Sequence, residues 1–275
     1  MSKGHVFLAQ NSTADYVTQA YILALSIKHH NKEHNQTCII TNDTVPEEYR
    51  HAFDHVIDIP WSDSAKESLW KIENRWKIIH ATPFKESLVY DTDMILLSSN
   101  DHWWKNLEYK DIALTKNVYD YKGRQISNDF YRKTFTQYKL PNVYTGIHYV
   151  KKTKPAFEFY KWLQVITENY KDFYNEFLPG AKQKFCSMDI NASLALIFLD
   201  AYESHTSNTL SFTHMKPAIQ GWSNTPATWK DAVAFNINNN KQLKVGNFLQ
   251  TGIFHYTEND FITNEIVEIL RSNYV

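Results

Sequence analysis

This sequence contains little cysteine and has almost no net charge. Only Cys38 and Cys186 occur among its 275 residues, which is too few for a disulfide framework or a cysteine metal site. The formal net charge is -1, whereas a protein with a general attraction to nucleic acid is strongly basic. We therefore expect a reducing compartment and no nucleic-acid partner.

Long apolar runs are also missing. The N-terminal stretch MSKGHVFLAQ contains no apolar segment of signal-peptide length. The longest apolar run, ASLALIFL, is far shorter than the ~20 residues that span a bilayer. We therefore expect a protein without a transmembrane segment, located in the cytoplasm.

The apolar and aromatic content is high. Hydrophobic residues make up 43% of the chain, enough for a sizeable core in one domain. The 8 Trp, 17 Tyr and 16 Phe are core residues first, and the alternative is that some rings line a groove for sugars or bases. Trp222 and Trp229 in QGWSNTPATW are candidates for either role.

Strands and helices alternate in the first hundred residues, and this order predicts a parallel sheet. Strand-like apolar runs lie at 5–10, 37–43, 55–60 and 88–97, and helical patterns at 14–31, 46–53 and 67–80. Further strands are predicted at 111–115, 142–150, 210–214 and 250–256, and further helices at 154–170, 188–202 and 260–271. Ligands of such sheets bind beyond the carboxyl ends of the strands. Six polar residues follow predicted strand ends and are candidates to line one crevice: Gln10, Asn11, Asn42, Asp43, Asp91 and Asp93.

The segment LVYDTDMILL, residues 88–97, carries two aspartates inside an apolar run. A strand of this composition is normally buried on both faces, where an uncompensated carboxylate is costly. A turn at this point would direct Asp91 and Asp93 toward one hard cation, and Mg²⁺ and Mn²⁺ both accept oxygen ligands. The alternative is a solvated strand end at which the aspartates cap the next turn.

Three segments, in order along the chain, resemble a known family: FLAQNSTADYVTQAYILALSI, WKIIHATPFKESLVYDTDMILL and IFHYTEND. They are similar to GT-A-type glycosyltransferases, most closely to the galactosyltransferase and glycogenin-like family that uses nucleotide-sugar donors. The resemblance implies an α/β fold of the GT-A, Rossmann-like type, with a mixed, mainly parallel sheet flanked by helices. We expect one domain over residues 1–275, in which about 1–100 bind the nucleotide and about 101–275 bind the donor sugar and the acceptor.

The resemblance also implies a metal site. In the family an aspartate pair and a late histidine hold a divalent metal, Mn²⁺ or Mg²⁺, on the donor diphosphate; Asp91, Asp93 and His255 match these positions. His214 in FTHMKP is the competing histidine, because Lys216 and Pro217 follow it in a pattern similar to the family's diphosphate-gripping element. No lysine follows His255 closely, so Lys216 is the candidate for the diphosphate contact.

Further donor contacts follow from the resemblance. Arg75 and Lys77 precede the aspartate pair, and a basic residue in this helix is implied to reach the donor; the alternative is that both are exposed charges. Thr145 and Gly146 are implied to face the donor, although this sequence lacks the family's asparagine there. Asp189 is implied to lie against the sugar in a donor-binding or catalytic role, or else it only favours the helix N-terminus.

Nucleotide recognition is expected around the end of the first strand. Backbone groups at such a strand end can read the edge of a base, and a nearby ring can stack on it. The residues expected to do so are Ala9, Gln10, Asn11 and Tyr16.

These expectations describe a metal-dependent glycosyltransferase that moves a hexose, from a UDP-sugar, to a hydroxyl of a sugar or glycan. If the resemblance extends to stereochemistry, the anomeric configuration is retained. A phosphohydrolase with Asp91 as nucleophile is one alternative, but its motif normally lies on the first strand. A nucleotidyltransferase is another, but FLAQNSTAD has no glycine-rich phosphate loop. A non-catalytic carbohydrate-binding protein is the alternative of a different class.

Overall fold

A central sheet of nine strands organises the part of the chain that the computed structural model describes. The described residues are 2–68, 71–126, 132–181, 183, 185–216, 233–238, 240 and 242–274. Trp222 and Trp229, the two candidates for sugar stacking, lie outside these residues.

The first hundred residues alternate between strands and helices, except that the single strand predicted over residues 88–97 is divided at residues 91–93 into two strands, β4 and β5. Their strands are β1 (Lys3–Leu8), β2 (Thr37–Ile40), β3 (His55–Ile57), β4 (Glu86–Tyr90) and β5 (Met94–Leu96). Their helices are α1 (Tyr16–His30) and α2 (Ile78–Ala81), with 3-10 helices at Glu47–Ala52 and Arg75–Lys77. Helix α1 begins where the Asp15 carboxylate accepts a hydrogen bond from the Thr18 amide at 3.0 Å, since the first turn of a helix has no internal partners for its N–H groups.

The later elements are more mixed. The strands are β6 (Ile112–Asp120), β7 (Tyr144–Lys151), β8 (Thr206–His214), β9 (Phe235–Ile237), β10 (Leu243–Val245), β11 (Phe248–Leu249) and β12 (Ile253–His255). The helices are α3 (His102–Leu107), α4 (Lys133–Gln137), α5 (Lys154–Glu168), α6 (Tyr170–Phe177), α7 (Met188–Leu199), α8 (Tyr202–His205) and α9 (Asn264–Tyr274). None of the helices in the described ranges combines the length and apolarity needed to cross a membrane.

The sheet is mixed and mainly parallel. Its strand order is β3-β2-β1-β4-β7-β6-β8-β12-β5. The strands β3, β2, β1 and β4 are mutually parallel, as are β6, β8 and β12, whereas β7 and β5 run antiparallel to their neighbours. Strands β9 to β11 form a separate antiparallel sheet. The α/β class and the mixed, mainly parallel sheet are confirmed.

The short link between β4 and β5 requires the sheet to curl. Five inter-strand steps separate these strands in the sheet order, which would place them about 24 Å apart in a flat sheet. Only residues 91–93 connect them, and the chain from Tyr90 to Met94 reaches at most ~14 Å. The sheet therefore bends back on itself, and β12, the neighbour of β5, is brought to the end of β4.

Two apolar clusters cover the faces of the sheet. Helix α1 packs against one face together with Trp103 and Trp104 of α3, while α5 and α7 pack against the other. Helix α7 carries the run ASLALIFL and is buried along most of its length. Strands β4 and β5 are buried at every position, so a charged side chain of this segment is accommodated most easily in the turn between them.

The helix predicted over residues 67–80 is wrong in its first half. Regular structure begins at Arg75, with the 3-10 helix and then α2. Lys71 has a left-handed backbone with φ 55°, which a residue inside a right-handed helix does not adopt. The consequence is a non-helical segment beside the carboxyl edge of β1, with Lys71 and Ile72 at a cavity there.

Candidate functional site

A cavity of about 340 Å³ opens at the carboxyl edge of the parallel strands. Residues that follow β1 and β4, the start of β7, the start of α7 and the ends of β8 and β12 all contribute to it. Its polar and charged lining residues include Gln10, Tyr16, Arg75, Asp91, Asp93, Thr145, Asp189, His214, Lys216 and His255. Most of the site residues predicted from sequence therefore surround one space.

Asp91, Asp93 and His255 form a compact cluster in this cavity. One ligand atom from each lies within 4.8 Å of the others. Nε2 of His255 donates a hydrogen bond to Oδ1 of Asp93 at 3.0 Å. Within the described residues, this is the group of histidine, cysteine and acidic side chains close enough together to hold a metal ion.

Backbone hydrogen bonds fix the cluster. The amide of Asp91 donates to the carbonyl of Gly146 at 2.7 Å, which ties the turn after β4 to β7. The amide of Tyr256 donates to the carbonyl of Asp93 at 3.1 Å, which ties β12 to the same turn. Both aspartates are thus held in a turn bounded by two strands, and their positions do not depend on flexible side-chain contacts alone.

Arg75 compensates one of the two carboxylates. It lies in the 3-10 helix, and its guanidinium donates to Oδ1 of Asp91 and, at 3.0 Å, to the carbonyl of Thr145. Burial acts to lower the pKa of Arg75, but the charge of Asp91 outweighs it and raises that pKa above its ordinary value. Arg75 is therefore a permanent positive charge between β7 and the cluster of Asp91, Asp93 and His255.

Asp93 and His255 stabilise each other's charged forms. Burial acts to raise the pKa of Asp93, but the charge and hydrogen bond of His255 lower it. Burial acts likewise to lower the pKa of His255, and Asp93 raises it. The geometry is that of a carboxylate–imidazolium pair, in which a cation could replace the proton that His255 now directs at Asp93.

The three side chains fit a divalent cation. Mn²⁺ accepts carboxylate oxygen and imidazole nitrogen, and Mg²⁺ prefers oxygen. Arg75 binds Oδ1 of Asp91, while Oδ2 faces Gly146. Nδ1 of His255 is buried and has no hydrogen-bond partner among the described residues, so the ring is incompletely satisfied by protein alone. We therefore take the donor set to be suited to Mn²⁺, or to Mg²⁺ with more water ligands.

His214 is a neighbour of the cluster. Its strand β8 runs parallel to β12, and its ring stacks on that of His255 at 4.7 Å between centroids and 15° between planes. Burial, followed by the charge of His255, lowers the pKa of His214 well below its ordinary value. A neutral His214 thus packs against His255, while Asp93 contacts His255 directly. Lys216, two residues on, also lines the cavity.

Asp189 is held by contacts to both of its oxygens. Oδ1 accepts hydrogen bonds from the amide and the hydroxyl of Thr145, each at 2.8 Å. Oδ2 pairs with Arg132 at 2.9 Å. Asp189 lies in the first turn of α7, where a negative charge is also favoured by the helix dipole. Asp189 therefore lies at the start of a helix and also lines the cavity, and its role toward the donor sugar stays a prediction.

Arg132 is the contact that sequence reasoning missed. Its side chain is buried, its guanidinium donates to the carbonyl of Val143 at 2.6 Å, and the rings of Phe135 and Tyr144 lie on it at 3.7 and 3.8 Å. In the sequence it stands in YRKTF, which matches no motif. Only the fold brings it to Asp189, so no local signal was available.

The residues expected to read the nucleotide are divided. Gln10 and Tyr16 line the cavity. Ala9 is fully buried, and its amide bonds to the carbonyl of Ile40 at 3.0 Å. Asn11 is exposed, receives a bond from the Val17 amide, and donates its own amide to Asp43. Neither Ala9 nor Asn11 is among the cavity-lining residues.

Lys77 and Gly146 also stand apart from the cavity lining. The ammonium of Lys77 is buried against the Trp76 ring and donates to the carbonyl of Ser62. Gly146 lies behind Asp91, and a Cβ there would come within 3.1 Å of Oδ2 of Asp91 and of Cε of Met94. The glycine thus allows the carboxylate to pack close to β7.

Comparisons with known proteins identify the fold. No protein-family model matches the sequence, and no curated protein matches it. Solved structures do match. The apo form of the glycosyltransferase GlyE of Streptococcus pneumoniae TIGR4 is 13% identical with a TM-score of 0.47, over 100% of this chain and 60% of that chain. This chain therefore spans about 60% of the length of GlyE.

Two further structures match over nearly their whole length. The galactosyltransferase LgtC, solved in complex with donor and acceptor sugar analogues, is 10% identical with a TM-score of 0.52, over 98% of this chain and 95% of that chain. The apo form of mouse xyloside xylosyltransferase 1 is 11% identical with a TM-score of 0.53, over 96% of this chain and 100% of that chain. Identities this low establish architecture only. The chain has the GT-A-type fold of these glycosyltransferases, as its sequence resemblance implies.

Proposed function

We propose that this protein is a glycosyltransferase that moves a hexose from a UDP-hexose to a hydroxyl of a sugar or glycan acceptor, with Mn²⁺ or Mg²⁺ as cofactor. The observation that carries the proposal is the cluster of Asp91, Asp93 and His255 in the cavity of a GT-A-type fold. Carboxylates in a cavity at strand ends fit a cation that is shared with a diphosphate. Retention of the anomeric configuration belongs to the proposal through the sequence resemblance.

The metal would be held by Asp91, Asp93 and His255. When bound it would act as a Lewis acid that stabilises the negative charge on the departing diphosphate. The protein supplies two further positive groups at the same cavity, Arg75 and Lys216. Arg75 is already oriented by Asp91 and by Thr145, so its charge is preorganised.

The remaining lining residues suit the two parts of the donor. Gln10 and Tyr16 lie after β1 and would contact the nucleotide, in the half formed by about residues 1–100. Asp189 and Thr145 lie on the α7 and β7 side and would contact the sugar, in the half formed by about residues 101–275. Because both oxygens of Asp189 are already engaged, we assign it sugar binding and positioning in preference to nucleophilic attack.

The two enzyme alternatives fit the site less well. A phosphohydrolase needs Asp91 as a nucleophile, yet the guanidinium of Arg75 already binds Oδ1 of Asp91, which reduces the nucleophilicity of that oxygen. The nucleotidyltransferase alternative requires a glycine-rich phosphate loop after the first strand, and the residues that follow β1 contain no glycine-rich loop. The cytoplasmic location and the lack of a nucleic-acid partner stay predictions from the sequence.

A donor screen tests the proposal. The purified protein is incubated with UDP- and GDP-hexoses in Mn²⁺, in Mg²⁺ and in EDTA, and released nucleotide and inorganic phosphate are measured separately. We expect UDP release from a UDP-hexose that EDTA abolishes, faster with Mn²⁺, and no inorganic phosphate. Asp93→Asn, which removes one of the three metal ligands, should lose this UDP release. Asp172→Asn, at an exposed site on α6, is the matched control and should keep it. Phosphate release would support the hydrolase, and metal-independent binding of oligosaccharides without nucleotide release would support the carbohydrate-binding alternative.

A further inference from the structure

An exposed group of aromatic rings lies outside the cavity. We call Trp61, Trp76, His80 and Phe157 the aromatic platform. Trp61 is 65% exposed and stacks on Trp76, with centroids 5.6 Å and planes 16° apart. His80 meets Trp61 edge-on at 5.1 Å, and Phe157, itself 39% exposed, lies 5.5 Å from His80. Trp76 is buried beneath them, so one face of the Trp61 indole packs on protein and much of the ring remains open to solvent.

The backbone of Trp61 is held in an unfavourable conformation. Its φ is 61°, in the left-handed region where a bulky residue with a Cβ is a true outlier. The large exposed part of the indole gains no burial that would offset this cost. Residues kept in such a conformation concentrate at binding sites. The combination of backbone strain and exposure therefore points to a ligand for the ring.

The platform adjoins the cavity. Strand β3 is parallel to β2, β1 and β4, so the segment after it leaves at the same sheet edge as the aspartate pair. Two residues after Trp61, Asp63 accepts a hydrogen bond from Gln10, which lines the cavity, at 3.0 Å. Two residues of chain span at most ~7 Å. Trp76 directly follows Arg75, whose guanidinium binds Asp91. A chain of a few sugar units could therefore reach from the cavity to Trp61.

The surroundings of the ring favour a neutral, hydroxyl-rich ligand. Asp58, Ser62 and Ser64 flank Trp61 and are exposed, and they offer hydrogen-bond acceptors and donors to hydroxyl groups. Burial, with a smaller contribution from Lys152, lowers the pKa of His80, so this ring is neutral at pH 7. A pyranose presents a flat C–H face to an indole and hydroxyls at its rim.

We propose that the aromatic platform is a distal subsite for an oligosaccharide acceptor, in which Trp61 stacks on a sugar unit several positions from the one that is glycosylated. The choice of a glycan as occupant rests on the proposed function. The subsite explains why a tryptophan is exposed at this edge of the sheet, and it predicts a preference for long acceptors over monosaccharides. It places the distal end of the acceptor in the half formed by about residues 1–100, beside Gln10, whereas the sequence alone predicts acceptor binding by about 101–275.

The test is a calorimetric titration of the whole protein with glucose, maltohexaose and cellohexaose. We expect a hexasaccharide to bind and Trp61→Ala to weaken it about tenfold, as removal of an aromatic anchor does. Trp61→Phe, which keeps a smaller ring, should lose less. Tyr109→Ala is the matched control, since Tyr109 is 74% exposed and lies before β6, whose start pairs with the end of β7 at the opposite edge of the sheet. Circular dichroism of each variant checks its folding.

The outcomes separate this proposal from the proposed function. Wild-type protein that binds neither hexasaccharide, or Trp61→Ala that binds as wild type does, would overturn the subsite. UDP release from UDP-hexose in the absence of acceptor should be the same in Trp61→Ala and wild type, because the ring does not line the cavity. Hexasaccharide binding through Trp61 without any metal-dependent UDP release would leave the subsite standing and refute the transferase.

Discussion

Arg132 and Asp189 form an ion pair, with Nη1 and Oδ2 2.9 Å apart, beside the candidate site. The arginine side chain is 4% exposed and lies between two aromatic rings, so it has little freedom to turn away. The aspartate lines the cavity, and Thr145 binds its other oxygen. Asp189 is therefore held in one orientation at the cavity, and we propose that Arg132 acts on the site through it as a positioning residue.

We expect Arg132→Ala to reduce the rate of transfer more than the affinity for UDP. It leaves Asp189 without one of its anchors, and loss of one partner of a largely buried ion pair costs about 3 kcal/mol of stability. Steady-state kinetics would show kcat falling by about tenfold or more with KM for the donor changing less. Arg132→Lys should recover part of the stability but not the two-directional bonding of the guanidinium.

Arg124→Ala is the control for that change. Arg124 pairs with Asp120 at 2.7 Å but is 66% exposed, so its loss should cost well under about 1 kcal/mol. Equal effects of the two substitutions on kcat would remove the positioning role from Arg132.

Gly146→Ala should disturb the cluster of Asp91, Asp93 and His255 although no ligand residue is itself substituted. The new Cβ would come within 3.1 Å of both Oδ2 of Asp91 and Cε of Met94, so the carboxylate must move. We expect Mn²⁺ affinity to fall by about tenfold, as small displacements of preorganised ligands do, measured by calorimetry. Gly123→Ala is the contrasting variant: its φ is 77°, and no atom of the described residues lies within 4 Å of the added Cβ, so it should lose stability through strain and keep its Mn²⁺ affinity. Unchanged Mn²⁺ binding in Gly146→Ala would argue against Asp91 as a ligand.

His255→Ala should weaken metal and UDP binding together, and His214→Ala should do so less. His255 contacts Asp93 directly, whereas His214 packs on the His255 ring. Parallel titrations of UDP into each variant with Mn²⁺ would compare them. A larger loss in His214→Ala would show that the third ligand has been assigned to the wrong histidine.

Stability should fall between pH 6.5 and 4 because of two buried histidines. Burial lowers the pKa of His5 to about 4, and burial, followed by the charge of Arg75, lowers that of His148 to about 4, from an ordinary value of 6.5. Between these values the unfolded chain binds more protons than the folded one, so the free energy of unfolding decreases as the pH falls. The stability that these neutral histidines contribute is fully present above pH 6.5. Each histidine then accounts for a loss of about 3 kcal/mol in the free energy of unfolding by pH 4.

Urea unfolding at several pH values, in EDTA, would measure this. His148→Gln should reduce the pH dependence of the unfolding free energy, and His102→Gln, an exposed histidine, should leave it unchanged. A flat profile from pH 7 to 4 in the wild type would mean that these histidines are not buried in neutral form.

More of the fold than of the candidate site could be predicted from the sequence. Strand periodicity and α/β alternation located β1 to β4 and α1, because each is an apolar run with its own start and stop signals. The helix expected over residues 67–80 failed at Lys71, where a left-handed residue overrides helix-forming neighbours. The curl that brings β12 to β4 could not be read from any segment, since it follows from how the whole sheet closes.

Some residues of the candidate site could likewise be predicted from the sequence and others could not. Asp91 and Asp93 were predictable because they are charges in an apolar run, and His255 because IFHYTEND resembles the family. Arg132 could not be predicted, because Asp189 is distant from it in sequence. Its other partner is the backbone carbonyl of Val143, a group that every residue carries. Lys77 was selected as a basic residue in the right segment, but the 3-10 geometry sends Arg75 to Asp91 and Lys77 to Ser62.

The most direct test of the metal-dependent transferase is the affinity of Asp93→Asn for UDP with Mn²⁺, measured by calorimetry beside its melting temperature without ligand. We expect Mn²⁺-dependent UDP binding to fall by about 30-fold or more, since the substitution removes a charged ligand. The melting temperature should stay within about 3 °C of wild type, which corresponds to about 1 kcal/mol in a chain of this size. Unlike Arg132→Ala, this substitution keeps the shape of the side chain, and its amide oxygen can still accept the hydrogen bond of His255. A large fall in melting temperature with intact Mn²⁺-dependent UDP binding would contradict the account and make Asp93 a structural residue.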